Sequence, residues 1–345
     1  MDNYYNILIS GEIFLQLNES NQKKFVEITQ KYKNINFFMV SFSESKIKQL
    51  EKFGYEVLKR GSDSLNTIIE LEETVLILGY CDKDFQLSKK GKMLLFYLEE
   101  SVNIEQKVLI YGKKINIKNF FKILDLIDET KGVYYSYNLD QNFKVVSLIN
   151  AKYKVRYLST EEKQIAIKFE NLLKEGEETN KEIFIYFILI MFLKNIDFSE
   201  YYHCFYYPTS RGNGGKNELM ERLCEEIRLI ISNVKLEQEN LFFRYKEVEK
   251  SRYLEAGERI PLNRHLDSIN LIKEKRISNK GIIILDDYST NGTSYKVVRE
   301  LLKNKNTKKI LFLTIGNFGN VFEGEYNQEN SHFNLEKIFE ILHNQ

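Results

Sequence analysis

Residues 281–294 read GIIILDDYSTNGTS, an apolar run that leads directly into a turn and then a helix. The run follows Gly281 and ends in two acids, Asp286 and Asp287, and helical spacing begins near Ser294. Ligands of open α/β sheets bind at the carboxyl ends of the strands, which is where such a turn lies. The segment therefore predicts an α/β sheet with a ligand site at one edge.

The turn at residues 290–294 suits a phosphate group, because it offers backbone N–H groups, hydroxyls and the positive end of a helix dipole. At Gly292 no Cβ separates the backbone from the phosphate, so a branched side chain there is expected to fill phosphate space. The carboxylates of Asp286 and Asp287 suit the hydroxyls of an attached ribose, as hydrogen-bond acceptors. An ordinary strand, turn and helix with an acidic turn is the alternative.

This string resembles the 5-phosphoribosyl-1-pyrophosphate signature of the type I phosphoribosyltransferases: an apolar strand, two acids, two variable residues, Thr and a small polar run around Gly. The resemblance implies that Asp286 and Asp287 bind the ribose hydroxyls and Mg²⁺. The residues implied to hold the 5-phosphate are Thr290, Asn291, Gly292, Thr293 and Ser294.

The sequence departs from that signature in its variable part. Tyr288 and Ser289 are less apolar than usual, and Asn291 replaces the common Thr or Ser. Purine-salvage members carry an Asp at the position of Thr290, where it is placed to interact with the base. The absence of that Asp argues against salvage of hypoxanthine or guanine.

A glycine-rich loop at residues 208–217, PTSRGNGGKN, follows another predicted strand. In phosphoribosyltransferases the loop at this place grips pyrophosphate. The resemblance implies that backbone N–H groups at Gly212, Gly214 and Gly215 form an anion-binding nest. The side chains implied to take part are Ser210, Arg211 and Lys216. A plain glycine-rich loop is the alternative.

Residues 250–270 are polar and resemble the mobile lid that closes over the reacting centre of these enzymes, with a solvated charged face as the alternative. Arg252 and Arg264 join Arg211 as residues implied to neutralise the departing pyrophosphate. Taken together, these features resemble the phosphoribosyltransferase domain of competence-type proteins over residues 198–318.

Apolar strands alternate with amphipathic helices along the first part of the chain, up to a short apolar run at residues 107–111 that also suggests a strand. This alternation predicts a parallel, doubly wound α/β sheet. The pattern resembles the haloacid-dehalogenase fold, and a plain Rossmann-like domain is the alternative. The residues that carry the resemblance are Ser41 in the second motif, Lys59 in the third, and Asp82 and Asp84 in the fourth, where two acids would hold Mg²⁺.

The first motif of that family is incomplete, because Ser10 and Glu12 stand where the Asp nucleophile and a second Asp are expected. Without the nucleophile a phosphoaspartyl intermediate cannot form, so the sequence predicts an inactive or repurposed domain rather than a phosphatase. A dehalogenase-like half joined to a phosphoribosyltransferase half resembles proteins encoded beside bacterial tellurium-resistance and stress genes.

The chain has 345 residues, which is long enough for two domains. We expect a haloacid-dehalogenase-like domain at residues 1–150 that ends in a hairpin or in edge strands, a helical connector at 151–196, and a phosphoribosyltransferase-type domain at 197–345. Both domains are expected to be doubly wound α/β structures.

The composition limits the range of partners. Lys and Arg number 50 and Asp and Glu 49, and this balance argues against a nucleic-acid binder. The chain has three cysteines whose spacing does not suggest a disulfide framework, and no signal peptide is visible. Both observations favour the cytoplasm. The apolar run at residues 183–193 is shorter than the about 20 residues of a membrane span. The expected partner is a small molecule, with a homodimer or a complex with proteins of the same gene cluster left open.

These features predict an enzyme that uses 5-phosphoribosyl-1-pyrophosphate, or a related ribosyl phosphate, and Mg²⁺ to glycosylate a nitrogen acceptor with release of pyrophosphate. A module of the same fold that senses a nucleotide without catalysis is the alternative.

Overall fold

The computed structural model describes residues 5–71, 73–129, 132–150, 178–232, 239–248, 262–289, 292–317, 325–326 and 340–341. The chain divides into two compact units, each discontinuous in sequence. Unit 1 lies within Met1–Gly132, Glu177–Asp197 and Lys337–Gln345, and unit 2 within Val133–Gly176 and Phe198–Glu336.

Unit 1 contains a parallel sheet in the order β3-β2-β1-β4-β5-β6. Its strands are β1 (Tyr5–Ser10), β2 (Ile35–Ser41), β3 (Glu56–Lys59), β4 (Thr74–Leu78), β5 (Leu94–Leu98) and β6 (Lys113–Ile115). The central strands β1 and β4 are buried along their whole length, as expected for a sheet covered on both faces. This strand order makes unit 1 a Rossmann-like α/β fold, in which the order reverses between β1 and β4.

Helices connect and flank these strands. They are α1 (Gly11–Gln16), α2 (Glu19–Thr29), α3 (Glu44–Glu51), α4 (Asp63–Glu70), α5 (Asp82–Lys90), α6 (Gln106–Tyr111), α7 (Ile117–Asp128) and α8 (Glu178–Asn195). Side chains of Asn18, Ser62 and Asn116 cap the N-termini of α2, α4 and α7 by accepting a backbone N–H bond. None of the helices within the described ranges is long and apolar enough to cross a membrane.

Two segments of unit 1 differ from the sequence-based expectation. The apolar run at residues 107–111 belongs to helix α6, where Val108 is buried while Leu109 and Ile110 face solvent. So short a run carries no period that separates a strand from a helix. The apolar residues at 183–193 form most of α8, which packs against α7 and β4 inside unit 1 and so lies within that unit rather than in a connector between domains.

Unit 2 contains a mixed sheet in the order β14-β7-β8-β13-β12-β9. Its strands are β7 (Tyr135–Asp140), β8 (Phe143–Asn150), β9 (Tyr201–Tyr206), β12 (Gly281–Ser289), β13 (Lys309–Asn317) and β14 (Glu325–Tyr326). Strands β8, β13, β12 and β9 are parallel, and β7 and β14 extend the sheet in antiparallel fashion. A separate ribbon pairs β10 (Phe242–Arg244) with β11 (Ile269–Leu271), and the helices are α9 (Glu218–Ser232), α10 (Leu262–Leu266) and α11 (Thr293–Leu302).

The hairpin β7–β8 was expected to close the first domain at residue 150, but it belongs to the sheet of unit 2. Strand β8 pairs in parallel with β13, with Phe143 opposite Ile310. Val145 and Val146 are buried although they are adjacent in the strand, so both faces of β8 are covered. A strand covered on both faces fits the interior of a sheet, and the boundary between the units therefore falls near residue 132.

Candidate functional site

The acid pair lies at the carboxyl end of β12, between the neighbouring strands β9 and β13. The carboxylate of Asp286 accepts a hydrogen bond from the backbone N–H of Asp287 (3.0 Å), and that of Asp287 accepts one from Tyr288 (2.7 Å). The side chain of Asp287 is half-buried, whereas Asp286 is only 8% exposed. The apolar residues before the pair are almost fully buried and fix its position.

Asp286 also connects the acid pair to the turn and helix that follow. Its carboxylate accepts a hydrogen bond from the hydroxyl of Ser294, in the first turn of α11. Burial, together with the charge of Asp287, raises the pKa of Asp286 well above its usual range, and the bond from Ser294 opposes this. Ionisation of both carboxylates is therefore unfavourable, and a cation or hydroxyl donors from a ligand would stabilise the ionised pair.

The acid pair fits Mg²⁺ in the way that Mg²⁺ is usually bound beside phosphorylated substrates. Mg²⁺ commonly takes one or two carboxylates from the protein and completes its shell with water and phosphate oxygens. Asp286 and Asp287 supply such a set, and no group of three or more acidic, His or Cys side chains that could hold a metal ion occurs in the part of the chain that the structure describes. A metal at this place would thus depend on the ligand for much of its coordination.

Gly292, the last residue before α11, has the left-handed conformation that favours glycine. Gly292 is the N-cap residue of α11, with φ +77°, and Thr293 begins the helix. Thr290 and Asn291, which were expected to hold the 5-phosphate, lie outside the described residues. The sequence-predicted Gly292, Thr293 and Ser294 are therefore found together at the helix N-terminus, where a positive dipole end favours an anion.

One expectation about Gly292 is wrong. A Cβ at this position would overlap the ring and hydroxyl of Tyr295, so the direction of a side chain there is filled by the protein rather than by a phosphate. The fold itself requires this glycine, because of Tyr295 and because of the positive φ.

Gly292→Ala should therefore destabilise unit 2 by about 1–3 kcal/mol, from backbone strain and displacement of Tyr295. Gly214→Ala is the matched control, since Gly214 has φ +97° but its Cβ would meet only the ring of Phe243, at an ordinary 3.4 Å. Chemical unfolding of the two variants should show the larger loss for Gly292→Ala. Equal losses would show that Tyr295 moves aside without cost.

The glycine-rich loop at residues 208–217 starts beside the acid pair, because Tyr207 donates its backbone N–H to the carbonyl of Leu285 (2.8 Å). Its expected anion nest is only partly available. The N–H of Gly214 donates to the carbonyl of Arg244 (2.8 Å), and that of Gly215 donates to Gly212 (3.4 Å). Both glycines have a positive φ, and both N–H groups are used for hydrogen bonds within the protein.

The polar side chains of this loop differ in their surroundings. Arg211 is exposed, and Lys216 is exposed beside Glu221 (3.9 Å), so both could reach an approaching anion. The backbone carbonyl of Ser210 accepts a hydrogen bond from Val248 (2.8 Å), which attaches the loop to the segment after β10. Of the expected lid, Arg252 lies outside the described residues, while Arg264 is exposed on α10.

A buried polar cluster next to the loop was missed by the sequence analysis. Arg244 donates hydrogen bonds to the hydroxyls of Ser268 and Tyr207, the latter over 3.3 Å. Burial raises the pKa of Tyr207 to about 12, a shift that the charge of Arg244 opposes and that of Asp286 reinforces. In the structure Phe242 and Arg244 face inward while Phe243 faces solvent, an alternation too short to be recognised from the sequence.

The carboxyl edge of the sheet in unit 1 carries a second polar cluster, centred on Glu12. Its carboxylate accepts hydrogen bonds from the hydroxyls of Ser10 (3.1 Å) and Ser41 (3.0 Å), and Lys46 lies 3.6 Å away. Lys59, expected in the third motif, instead pairs with Glu44 at the surface (3.0 Å). Successive side chains of a strand point to opposite faces, so the residue after Lys59 points into the cluster instead.

That residue is Arg60, which forms an ion pair with Asp84 and donates to Ser10 (3.3 Å). Asp84 also accepts hydrogen bonds from the backbone N–H groups of Tyr80 (2.9 Å) and Cys81 (3.2 Å). Burial, and then the charge of Asp84, raises the pKa of the Cys81 thiol to about 11.

The two acids of the fourth motif do not converge on one cation. Asp82 lies near the surface, where it accepts from the backbone N–H of Lys107 (3.2 Å) and lies 3.7 Å from its ammonium group. Asp84 points inward to Arg60. The expected pairing of Asp82 and Asp84 around Mg²⁺ is therefore not the arrangement in the structure, where a guanidinium group neutralises Asp84.

No protein-family model matches this chain, and no curated protein matches it either. Among solved structures, levoglucosan dehydrogenase in its apo form is similar, at 10% identity and a TM-score of 0.22. The match covers 58% of this chain and 54% of that chain, which is about half the length of the dehydrogenase. A TM-score this low carries no argument about the fold or the function of this protein.

Proposed function

We propose that unit 2 binds 5-phosphoribosyl-1-pyrophosphate, or a related ribosyl phosphate, together with Mg²⁺, and transfers the ribosyl group to a nitrogen acceptor. The observation that carries the proposal is the hydrogen bond between Asp286 and Ser294. The carboxylate that would accept the ribose hydroxyls therefore lies beside the N-terminus of α11, which would favour a phosphate. A ligand that carries a diol next to a phosphate could bind to the carboxylates and to the helix N-terminus at the same time.

In this reaction the acceptor nitrogen forms a bond to C1 of the ribose, and the bond from C1 to the pyrophosphate oxygen breaks. The electron pair of the broken bond leaves with pyrophosphate, and the nitrogen gives up a proton. Asp286 and Asp287 would hold the ribose and the cation. Arg211 and Lys216 would offset the charge that develops on the departing group, which is the main contribution expected of a protein in such a step.

The direct experiment is to measure pyrophosphate release from 5-phosphoribosyl-1-pyrophosphate and Mg²⁺ with a panel of nucleobases and amines. Release that requires an acceptor, and that is lost in Asp287→Asn, is the expected result. Calorimetry that finds no binding of the donor to wild-type protein would contradict the proposal.

A second candidate function is binding without catalysis. The observation in its favour is the internal use of the Gly214 and Gly215 N–H groups, which leaves fewer donors for a departing pyrophosphate. The same calorimetry separates the two functions, because a sensor would bind donor or nucleotide with no pyrophosphate release from any acceptor in the panel.

For unit 1 we propose that no phosphatase activity remains. The buried hydroxyl of Ser10 is bonded to Glu12 and Arg60, and no Asp occupies either motif position. The purified protein should hydrolyse a generic aryl phosphate with Mg²⁺ no faster than buffer. Hydrolysis that Ser10→Ala and Glu12→Gln abolish would show that the unit is active.

A further inference from the structure

Arg244 is a buried cation for which the described residues supply no negative partner. Its side chain is among the largest that are fully buried, and the residue is 1% exposed. Its hydrogen-bond partners, Ser268 and Tyr207, are both neutral hydroxyls, and its Nε has no partner among the described atoms. The backbone carbonyl of Arg244 accepts from Gly214, so this residue also adjoins the glycine-rich loop.

Two neighbours of Arg244 have buried polar atoms that likewise lack a partner within the described part of the chain: the Nδ1 of His265 and the hydroxyl of Thr209. His265 is close because its backbone carbonyl accepts from Ser268 (2.7 Å), which is a partner of Arg244. Thr209 donates its backbone N–H to the carbonyl of Gly215 (2.8 Å), and the adjacent Gly214 donates to the carbonyl of Arg244. Burial, and then the charge of Arg244, lowers the pKa of His265 to about 4, so the imidazole is neutral at pH 7.

All three groups without a described partner can act as hydrogen-bond donors. The guanidinium Nε–H and the Thr209 hydroxyl are hydrogen-bond donors, and a neutral imidazole can carry its proton on Nδ1. A buried charge without a counter-charge is costly, and buried donors without acceptors add to that cost. A single oxyanion would supply both the counter-charge and the acceptors.

We propose that Arg244 and Thr209 form a buried oxyanion subsite of unit 2, which takes the pyrophosphate group of the ligand. The assignment of the anion to pyrophosphate rests on the proposed function. The position supports it, because Tyr207 joins Arg244 to the strand end next to Asp286, and Thr209 lies near the start of the loop expected to hold pyrophosphate.

The test uses inorganic pyrophosphate alone and measures the rise in unfolding temperature that it causes, which follows binding by mass action. Wild-type protein should show a rise, with a smaller one for inorganic phosphate. Arg244→Met should abolish the rise. Thr209→Val keeps the side-chain shape, removes a hydroxyl that has no described partner, and should weaken pyrophosphate binding by about tenfold while the protein remains folded.

Arg276→Met is the matched control, because Arg276 is also a partly buried arginine of unit 2 but bonds to the carbonyl of Glu239 and lies over the ring of Phe205. It should keep the pyrophosphate-dependent rise. If Arg244→Met fails to fold, Thr209→Val decides the question.

A full rise in Thr209→Val and in folded Arg244→Met would overturn the subsite. So would the absence of any rise in wild-type protein, since the counter-charge would then belong to the chain itself. The donor and the acid pair play no part in this test, so the proposed function and the subsite can fail separately.

Discussion

Asp287→Asn should weaken the binding of 5-phosphoribosyl-1-pyrophosphate by one to two orders of magnitude. Asp287 is the half-buried and more accessible member of the acid pair, and hydrogen bonds to a charged acceptor contribute about 1.5–3 kcal/mol each. That range corresponds to roughly 10- to 150-fold in affinity. Isothermal calorimetry with Mg²⁺ present measures the change. The control is Asp267→Asn, an exposed acid of the same unit that should leave the affinity unchanged.

Asp286→Asn separates a loss of binding from a loss of fold. The pKa of Asp286 is raised in the folded protein, so its ionised form opposes folding at neutral pH, and the folded state gains stability as the pH falls toward that pKa. Removing the charge should therefore leave the unfolding temperature unchanged or higher, while donor affinity falls. Equal donor affinities for wild type and the Asp286/Asp287 double Asn variant would contradict the assignment.

Arg60→Met should destabilise unit 1 by about 3–5 kcal/mol, the usual cost of leaving one member of a buried ion pair without its partner. The side chain of Arg60 is 3% exposed and that of Asp84 is 0% exposed. Removal of the guanidinium would leave the Asp84 carboxylate with its backbone N–H bonds but no counter-charge in the described surroundings. Urea unfolding, followed by a signal from unit 1, measures the loss.

Lys59→Met is the matched control, since Lys59 precedes Arg60 and carries the same charge, but its side chain is 56% exposed. Its ion pair with Glu44 is a surface pair, so the change should stay within about 0.5 kcal/mol. The double variant Arg60→Met/Asp84→Asn should lose less than the sum of the two single variants, because the pair acts as a unit. A loss below about 1 kcal/mol for Arg60→Met would show that water or another group replaces the guanidinium.

The comparison of Lys59 with Arg60 also shows where sequence reasoning reaches its limit. Lys59 was selected by its resemblance to the third motif of the dehalogenase family, but an error of one residue turns a side chain to the opposite face of a strand. The motif thus predicted a cation at this edge of the sheet, but the residue that lies there is Arg60 and not Lys59. Ser10, Glu12 and Ser41 were singled out one by one as motif positions, and the structure shows that their side chains meet at the carboxyl edge of the sheet.

In unit 2, the local sequence was enough to predict the structure around the acid pair, but not the sheet to which the hairpin belongs or the buried Arg244. The apolar run, the acids and Gly292 predicted the strand, turn and helix that β12 and α11 form. The hairpin β7–β8 could not be assigned to its sheet, because its pairing with β13 joins residues far apart in sequence. Arg244 was missed for a related reason: in a strand as short as β10, alternation does not show which face is buried.

The placement of β8 has a consequence for how the chain is made. Ser147 of β8 bonds to Thr314 of β13, which is 167 residues later, and a ribosome needs roughly 8–30 s to add that many residues. During that interval β8 has β7 as its only strand neighbour among those that flank it in the finished sheet. Val145, Val146 and Leu148, all buried in the native protein, would meet water or other chains until β13 emerges. Nascent β8 is thus a segment whose apolar side chains a chaperone would protect during translation.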